Sequence, residues 1–262
     1  MKEPSSLRCR VFVDDSVHDV DGFVLTAAVI TFDDLSPKIA ELLRGVGLKP
    51  GIDEYKSHSR KDSDEPSRRL RSELGELLYQ SGARIALAVT PRGQRDAAGV
   101  DMLALLARLK SDGALGPSEV SVWLDEGLLT GAASSWLESH PSHGLLIESE
   151  QDSKKVLELQ LADLVAHTAS TIIRCELGSI SKMVPAGPNS GYDPNELFPL
   201  EFGLWAGLRY NLAGLQIKQS DLNGLDFQTY YAFGLSINEQ CSPMVKAAVR
   251  AQLETVYLGC IH

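Results

Sequence analysis

The first part of the chain has the hydrophobic pattern of a β-hairpin. A short run rich in β-branched residues covers 8–13, a polar and turn-rich stretch covers 14–22, and a long apolar run covers 23–32. Runs of this kind separated by turn residues favour two paired strands. The pattern therefore predicts a strand that ends at Val13 and a second strand that begins at Phe23.

Strand and helix patterns then follow one another along the chain. Apolar residues at intervals of three and four predict helices, and alternating apolar and polar residues predict strands. Strands that alternate with helices are typical of an α/β sheet covered by helices, and the opening hairpin favours a mixed sheet. The predicted helices lie around Leu43, around Leu74, and at 100–109, 132–139 and 156–175, and the predicted strands lie at 84–90, 119–125 and 144–147.

Residues 181–262 have a different pattern from the rest. A loop rich in proline, glycine and asparagine is predicted at 185–195, and helical patterns recur at 197–213 and 243–258. We therefore expect an α/β domain over 7–180 and a mainly helical C-terminal extension over 181–262.

One helix of this extension has an apolar side that must be covered. Leu204, Leu208 and Leu212 lie on one helical face, and Trp205 lies beside it. Because an exposed apolar stripe is costly in water, we expect the helix to pack on the α/β domain or on a second subunit. A homodimer through the extension is the second of these two expectations.

Composition places the chain among globular proteins. Of its 262 residues, 44% are apolar and 23% are charged, which excludes disordered and fibrous classes. The apolar run at 23–30 is far too short to span a bilayer, and residues 1–10 lack the apolar stretch of a secretory signal. We expect a cytoplasmic protein without membrane contact. The net charge of −10 disfavours a surface that coats nucleic acid everywhere, but it is compatible with a local basic patch.

Several common catalytic signatures are missing from the sequence. It has no glycine-rich phosphate loop, no GxGxxG after a strand and no GxSxG nucleophile elbow. Its four cysteines are far apart in the chain, and its histidines lack the spacing of a zinc site. Carboxylates therefore remain as the candidate chemistry.

Carboxylates follow two predicted strands and interrupt one apolar helix. Asp14 and Asp15 come after the first strand, Asp125 ends a later strand, and Asp163 lies in the helix at 156–175. Carboxylates at the same ends of neighbouring strands converge, and they repel one another unless a divalent cation neutralises them. Oxygen donors suit Mg²⁺ or Mn²⁺. Taken singly, a strand-end acid is also typical of a turn or cap, and Asp163 could instead be paired with a basic or hydroxyl group.

The order of these segments resembles the bacterial domain-of-unknown-function family 3800, whose members resemble ribonuclease H. The resemblance covers about residues 8–175. It implies a mixed sheet with helices on both faces and the metal-dependent cleavage of a phosphodiester. The segments that carry it are, in chain order, VFVDDS at 11–16, EYK at 54–56, the strand ending in Asp125, Ser153, and LQLADLVA at 159–166.

The resemblance also implies a role for individual residues. Asp14 corresponds to the first-strand acid, Glu54 to the second acid, Asp125 to the later-strand acid and Asp163 to the helical acid. These four are the implied metal ligands, for Mg²⁺ or Mn²⁺, and the implied catalytic residues. Lys56 is implied to lie close to Glu54, where it could contact a phosphate or pair with the acids.

Two positions depart from the family pattern. The family-like start usually reads Asp-Glu-Ser-Gly, whereas here Asp15 stands in place of the glutamate and Val17 in place of the glycine. Asp14 and Asp15 point to opposite faces of a strand, so only one of them can belong to a cluster of acids. The resemblance favours Asp14.

The most basic stretch of this acidic chain lies between the second acid and the third strand. Such a stretch is either a solvated helix face or a surface that holds the phosphate backbone of nucleic acid. The second interpretation makes three of its arginines the predicted substrate contacts. The stretch contains Arg60 and Lys61, followed by the three predicted contacts Arg68, Arg69 and Arg71.

The sequence therefore predicts a nuclease that hydrolyses phosphodiester bonds of nucleic acid with two metal ions. Two alternatives belong to other classes. One is a catalytically silent nucleic-acid-binding or assembly module in which the acids are structural. The other is a metal-dependent hydrolase of a small phosphorylated compound. Binding without turnover would indicate the first alternative, and cleavage of mononucleotides but not of polymers would indicate the second.

Overall fold

The computed structural model of the chain describes residues 8–57, 64–141, 143–187, 190–220 and 226–257. Its strands are β1 (Cys9–His18), β2 (Phe23–Thr31), β3 (Arg84–Pro91), β4 (Val120–Asp125), β5 (Leu145–Gln151), β6 (Met183–Pro185), β7 (Leu197–Pro199), β8 (Gly214–Ser220), β9 (Asp226–Ala232), β10 (Leu235–Ile237) and β11 (Thr255–Tyr257). Its α-helices are α1 (Ser36–Gly45), α2 (Glu65–Gln80), α3 (Ala98–Ser111), α4 (Gly131–Ser139), α5 (Leu159–Glu176), α6 (Leu200–Leu208) and α7 (Pro243–Val249), with a 3₁₀ segment at Arg92–Ala97 and a π-helical turn at Arg250–Glu254.

Six strands form the central sheet, in the order β10-β3-β2-β1-β4-β5. β1 and β3 each run antiparallel to β2, whereas β4 runs parallel to β1, β5 parallel to β4, and β10 parallel to β3. The predicted α/β class with a mixed sheet is therefore confirmed.

Helices cover both faces of this sheet because successive strand residues point to opposite sides. On one face Phe12 and Leu25 belong to a buried cluster with α1, α2, α5, α6 and α7. On the other face Val13 and Ala28 belong to a second buried cluster with α3 and α4. β2 is buried along its whole length, which explains why all its residues but Thr26 and Thr31 are apolar.

The first strand is longer than its sequence predicts. It continues through the two aspartates to His18, because residues 14–18 pair with residues 23–27 of β2. Only a short turn remains, and it is closed by the backbone N–H of Gly22, which donates to the carbonyl of His18 at 2.9 Å. Gly22 has a φ of 77°, a conformation that favours glycine. The predicted strand end at Val13 is therefore wrong, and Asp14 lies inside a strand.

The prediction of a mainly helical extension over 181–262 is not confirmed. The described part of this segment contains α6 and α7, but it also contains the six strands β6–β11. β10 pairs in parallel with β3 and forms an edge of the central sheet. α7 contributes Val245 and Val249 to the same buried cluster as α5.

The helix whose apolar side needed a cover packs on the α/β core. α6 ends at Leu208, which is buried, and Leu204 and Trp205 pack against the cluster that contains α5. This is the first of the two arrangements expected from its sequence. Leu212 is also buried, but it lies beyond the helix in an isolated bridge with Ile85, so the predicted helix over 197–213 is shorter than expected. None of the described helices has the length and apolar character required to cross a membrane.

Candidate functional site

Two acids lie side by side on neighbouring strands of the central sheet. In the parallel pair of β1 and β4, Val13 lies opposite Leu124, so Asp14 and Asp125 are the next residues on each strand. Phe12 and Trp123 precede them on the same face and stack with their ring centroids 5.0 Å apart. Strand pairing and this stacked contact therefore set the position of both carboxylates.

Asp14 and Asp15 lie on opposite faces of β1. The Asp14 side chain is on the α5 face and only 5% exposed, and its Oδ1 accepts a hydrogen bond of 2.7 Å from the backbone N–H of Asp15. The Asp15 carboxylate forms an ion pair of 3.7 Å with Arg95. The structure thus places Asp14, and not Asp15, beside Asp125.

A third acid reaches the same region from α5. Asp163 is 8% exposed, and its Oδ2 accepts a hydrogen bond of 2.7 Å from the backbone N–H of Ser57. One turn earlier, the side chain of Gln160 accepts a hydrogen bond of 2.9 Å from the backbone N–H of Tyr55. Two side chains of one helix face therefore hold the backbone of the segment 54–57.

This bound segment carries the remaining two predicted residues into the site. Glu54 accepts a hydrogen bond from the hydroxyl of Ser153, and it forms an ion pair of 3.7 Å with Lys56. Ser153 is itself held by the amide of Gln160, which donates to its carbonyl at 2.9 Å. The structure thus brings together five predicted residues, Asp14, Glu54, Lys56, Asp125 and Asp163.

The charges in this group influence one another. Burial raises the pKa of Asp14 well above its usual value, and the nearby negative charges of Asp125 and Asp163 raise it further. Burial also raises the pKa of Asp125, whereas the positive charge of Lys56 opposes that shift. The partial burial of Lys56 would lower the pKa of its ammonium group, but the surrounding carboxylates together raise it. Lys56 therefore balances part of the negative charge.

The donor chemistry of the site suits a hard divalent cation, because every candidate ligand offers carboxylate oxygens. Within the described ranges, however, no set of three His, Cys, Asp or Glu side chains is already arranged as a metal-binding group. The Lys56 ammonium supplies compensating charge among the same carboxylates. The residue types thus fit Mg²⁺ or Mn²⁺, and their side chains would have to close around the ion.

The predicted nucleic-acid contacts on α2 are of two kinds. Arg68 and Arg69 lie on the exposed face, where they pair with Glu65 at 3.4 Å and Glu73 at 2.7 Å. Arg71 is half-buried and points toward the site. Arg60 and Lys61 lie outside the described residues.

Arg71 holds the same loop that α5 holds. Its Nε donates to the hydroxyl of Tyr55 at 3.0 Å, and one terminal nitrogen donates to the carbonyl of Ser57 at 3.2 Å. Tyr55 is fully buried, so this contact ties α2 to the core beneath the loop. Sequence reasoning missed this positioning role, and it also missed that Gln160 binds the loop. The only sequence signal for the role of Gln160 is that it lies on the same helical face as Asp163.

Replacing Arg71 by alanine should destabilise the protein by about 1–3 kcal/mol, because hydrogen bonds from a charged group to partly buried acceptors are lost. Arg69→Ala is the matched control on the same helix, and its effect should be much smaller because the Arg69 side chain is exposed and its ion pair with Glu73 is open to water. Urea unfolding of both variants measures the difference. Equal losses of stability would contradict the positioning role of Arg71.

A comparison of the chain with models of known protein families found no match, and a comparison with curated proteins found none at the significance required. The site is therefore defined by its geometry alone, namely the convergence of β1, β4, α5 and the loop 54–57.

Proposed function

We propose that the protein is a ribonuclease-H-like, metal-dependent nuclease that hydrolyses phosphodiester bonds of nucleic acid. The observation that carries this proposal is the convergence of Asp14, Asp125 and Asp163, with Lys56 among them. Three carboxylates that repel one another lower the stability of the fold. Such a group is therefore expected where it binds a cation or takes part in a reaction. The mixed sheet with helices on both faces supports the same family resemblance.

Each residue has a distinct part in the proposed chemistry. Asp14, Glu54, Asp125 and Asp163 would hold Mg²⁺ or Mn²⁺, which would supply Lewis-acid activation of a water molecule and stabilisation of the departing oxygen of a phosphodiester. The hydrogen bond from Ser57 orients Asp163. The ion pair with Glu54 holds Lys56 where its ammonium group can contact a phosphate oxygen.

One alternative function has an observation in its favour. Lys56 already compensates part of the charge of the acids, which is what a catalytically silent nucleic-acid-binding or assembly module would require. In that case the acids and Lys56 form a structural network, and no divalent cation is needed. Arg68 and Arg69, which lie on the exposed face of α2, would contribute to phosphate binding in either function. A homodimer through residues 181–262 stays a prediction.

The purified protein should cleave at least one of a single-stranded, duplex or hybrid polymer in Mn²⁺ or Mg²⁺, and EDTA should stop the cleavage. A gel assay with labelled polymers measures this, with a mononucleotide phosphate ester as a parallel substrate. Cleavage of the small ester alone would indicate the small-compound hydrolase. Binding of polymers without any cleavage would favour the silent module over the nuclease.

A further inference from the structure

A cavity of about 410 Å³ lies next to the acids, between the end of β1 and α5. It is lined by residues 15–18 of β1, of which Asp15 has its carboxylate paired with Arg95, and by Asp163, His167 and Arg174 of α5. Asp14, Ser16 and His18 are every second residue of β1 and therefore lie on the same face, so the cavity continues directly from the acidic site. With a rise of roughly 3.3 Å per strand residue, His18 lies roughly 13 Å along β1 from Asp14.

The neutral polar groups of this lining centre on the hydroxyl of Ser16 and the imidazole of His18. The hydroxyl of Ser16 lies 3.0 Å from Nε2 of His18 and accepts a hydrogen bond of 3.2 Å from the hydroxyl of Ser170. The His18 ring packs on Phe23 with a centroid distance of 5.0 Å. Burial, assisted by the positive charge of Arg174, lowers the pKa of His18 to about 4. A neutral imidazole offers one donor and one acceptor.

Among the described lining residues, the one permanent cation is already paired. Arg174 donates through Nε to Asp21 at 2.6 Å, and Asp21 also accepts a hydrogen bond from the hydroxyl of Ser179. An anion such as a free phosphate would therefore meet a balanced charge at this end and the carboxylate of Asp163 at the other. Hydrogen-bonding groups without net charge fit the lining better, and the edge of a nucleobase has this character.

We propose that this cavity binds one unstacked nucleobase of a single strand, adjacent to the phosphate at the acidic site. This inference rests on the proposed function and specifies its substrate as single-stranded nucleic acid or a frayed strand end. The volume falls within the range of small-ligand sites. A base inside a duplex reaches such a cavity only after it is extruded from the stack, which is unfavourable.

Two variants test the cavity without touching the acids. His18→Phe keeps a ring against Phe23 but removes both imidazole nitrogens, and Ser16→Ala removes the hydroxyl between His18 and Ser170. His140→Phe is the matched control, because the His140 ring also stacks on an aromatic neighbour, Trp136, at 4.5 Å in a different part of the fold. Melting curves verify that each variant is folded.

The measurement is fluorescence anisotropy in EDTA with a short labelled single strand and a blunt hairpin duplex of the same sequence. The parent should bind the single strand at least roughly tenfold more tightly. Each cavity variant should weaken single-strand binding by roughly five- to tenfold, which corresponds to the loss of one hydrogen bond. Duplex binding should not change, and His140→Phe should behave like the parent.

The inference is overturned if the parent binds the duplex as tightly as the single strand, or if both folded variants bind the single strand normally. An equal loss for single strand and duplex also overturns it. If His18→Phe fails to fold, Ser16→Ala decides alone. The experiment distinguishes failure of this inference from failure of the proposed function. If the protein binds the single strand selectively and through the cavity but does not cleave it in Mn²⁺, the nuclease is rejected and the base site is supported. If the protein cleaves the polymer but the variants bind the single strand normally, only the base site is rejected.

Discussion

Asp125→Asn should lower the rate of metal-dependent cleavage by roughly 10²–10³-fold or more, the cost typical of losing one electrostatic contact to developing charge. Asparagine has nearly the same shape, so the end of β4 and its contact with Asp14 should persist. The variant removes one negative charge and one carboxylate oxygen from the site. Because Asp125 lies beside Asp14 on the neighbouring strand, this change weakens the proposed cation site directly.

Glu126→Gln is the control for Asp125→Asn. It removes the same charge one residue later in the chain, from an exposed side chain that lies outside the group of five. Initial rates of polymer cleavage in Mn²⁺ compare the two variants with the parent. Activity that persists in Asp125→Asn, or in EDTA, would exclude the proposed metal-dependent chemistry at this site.

Asp14→Asn should leave the stability of the metal-free protein unchanged or higher at pH 7. Burial and the neighbouring acids raise the pKa of Asp14. A carboxyl group whose pKa is raised in the folded state does not lower the stability at pH values below its usual pKa of about 3.9. It lowers the stability as the pH rises from there through the folded-state pKa. The benefit of Asp14→Asn should therefore grow with pH. The asparagine oxygen can still accept the hydrogen bond from the backbone N–H of Asp15.

The metal dependence of stability should differ between the parent and Asp14→Asn. A cation at a hundredfold excess over its Kd should stabilise the parent by roughly 2.7 kcal/mol, and most of this gain should be missing in the variant. Melting curves in EDTA and in Mn²⁺, recorded at several pH values, measure both effects. Asp125→Asn is expected to follow the same pattern.

Asp21→Asn is the matched comparison for a structural acid. Hydrogen bonds from Ser179 and Arg174 outweigh the effect of burial and lower the pKa of Asp21. Its contribution to stability should be present above the usual carboxyl pKa and should be lost as the pH falls through the lowered value. The variant should be destabilised equally in EDTA and in metal. If Asp14→Asn behaves in the same way as Asp21→Asn, the acidic site is structural.

Local patterns along the chain are sufficient to predict the class of the fold and the acids on two of its elements. Helical and strand periodicity is a local property, and it predicted the mixed α/β arrangement because each buried face repeats along a short segment. The same property identified Asp125 at the end of β4 and Asp163 on α5. Asp125 closes a strand pattern and Asp163 interrupts an apolar helix, which makes both residues visible without any knowledge of contacts.

Which distant segments meet is visible only in the folded protein. Residues 14–18 are polar and resemble a turn, yet they form a strand because β2 pairs with them. β10 is too short to be recognised locally, and it becomes an edge of the sheet only through its pairing with β3. Arg71 has the spacing of a solvated helix face, but it is turned inward to a loop that its own helix does not contain. Such pairings depend on long-range contacts, whose energy leaves no local period in the sequence.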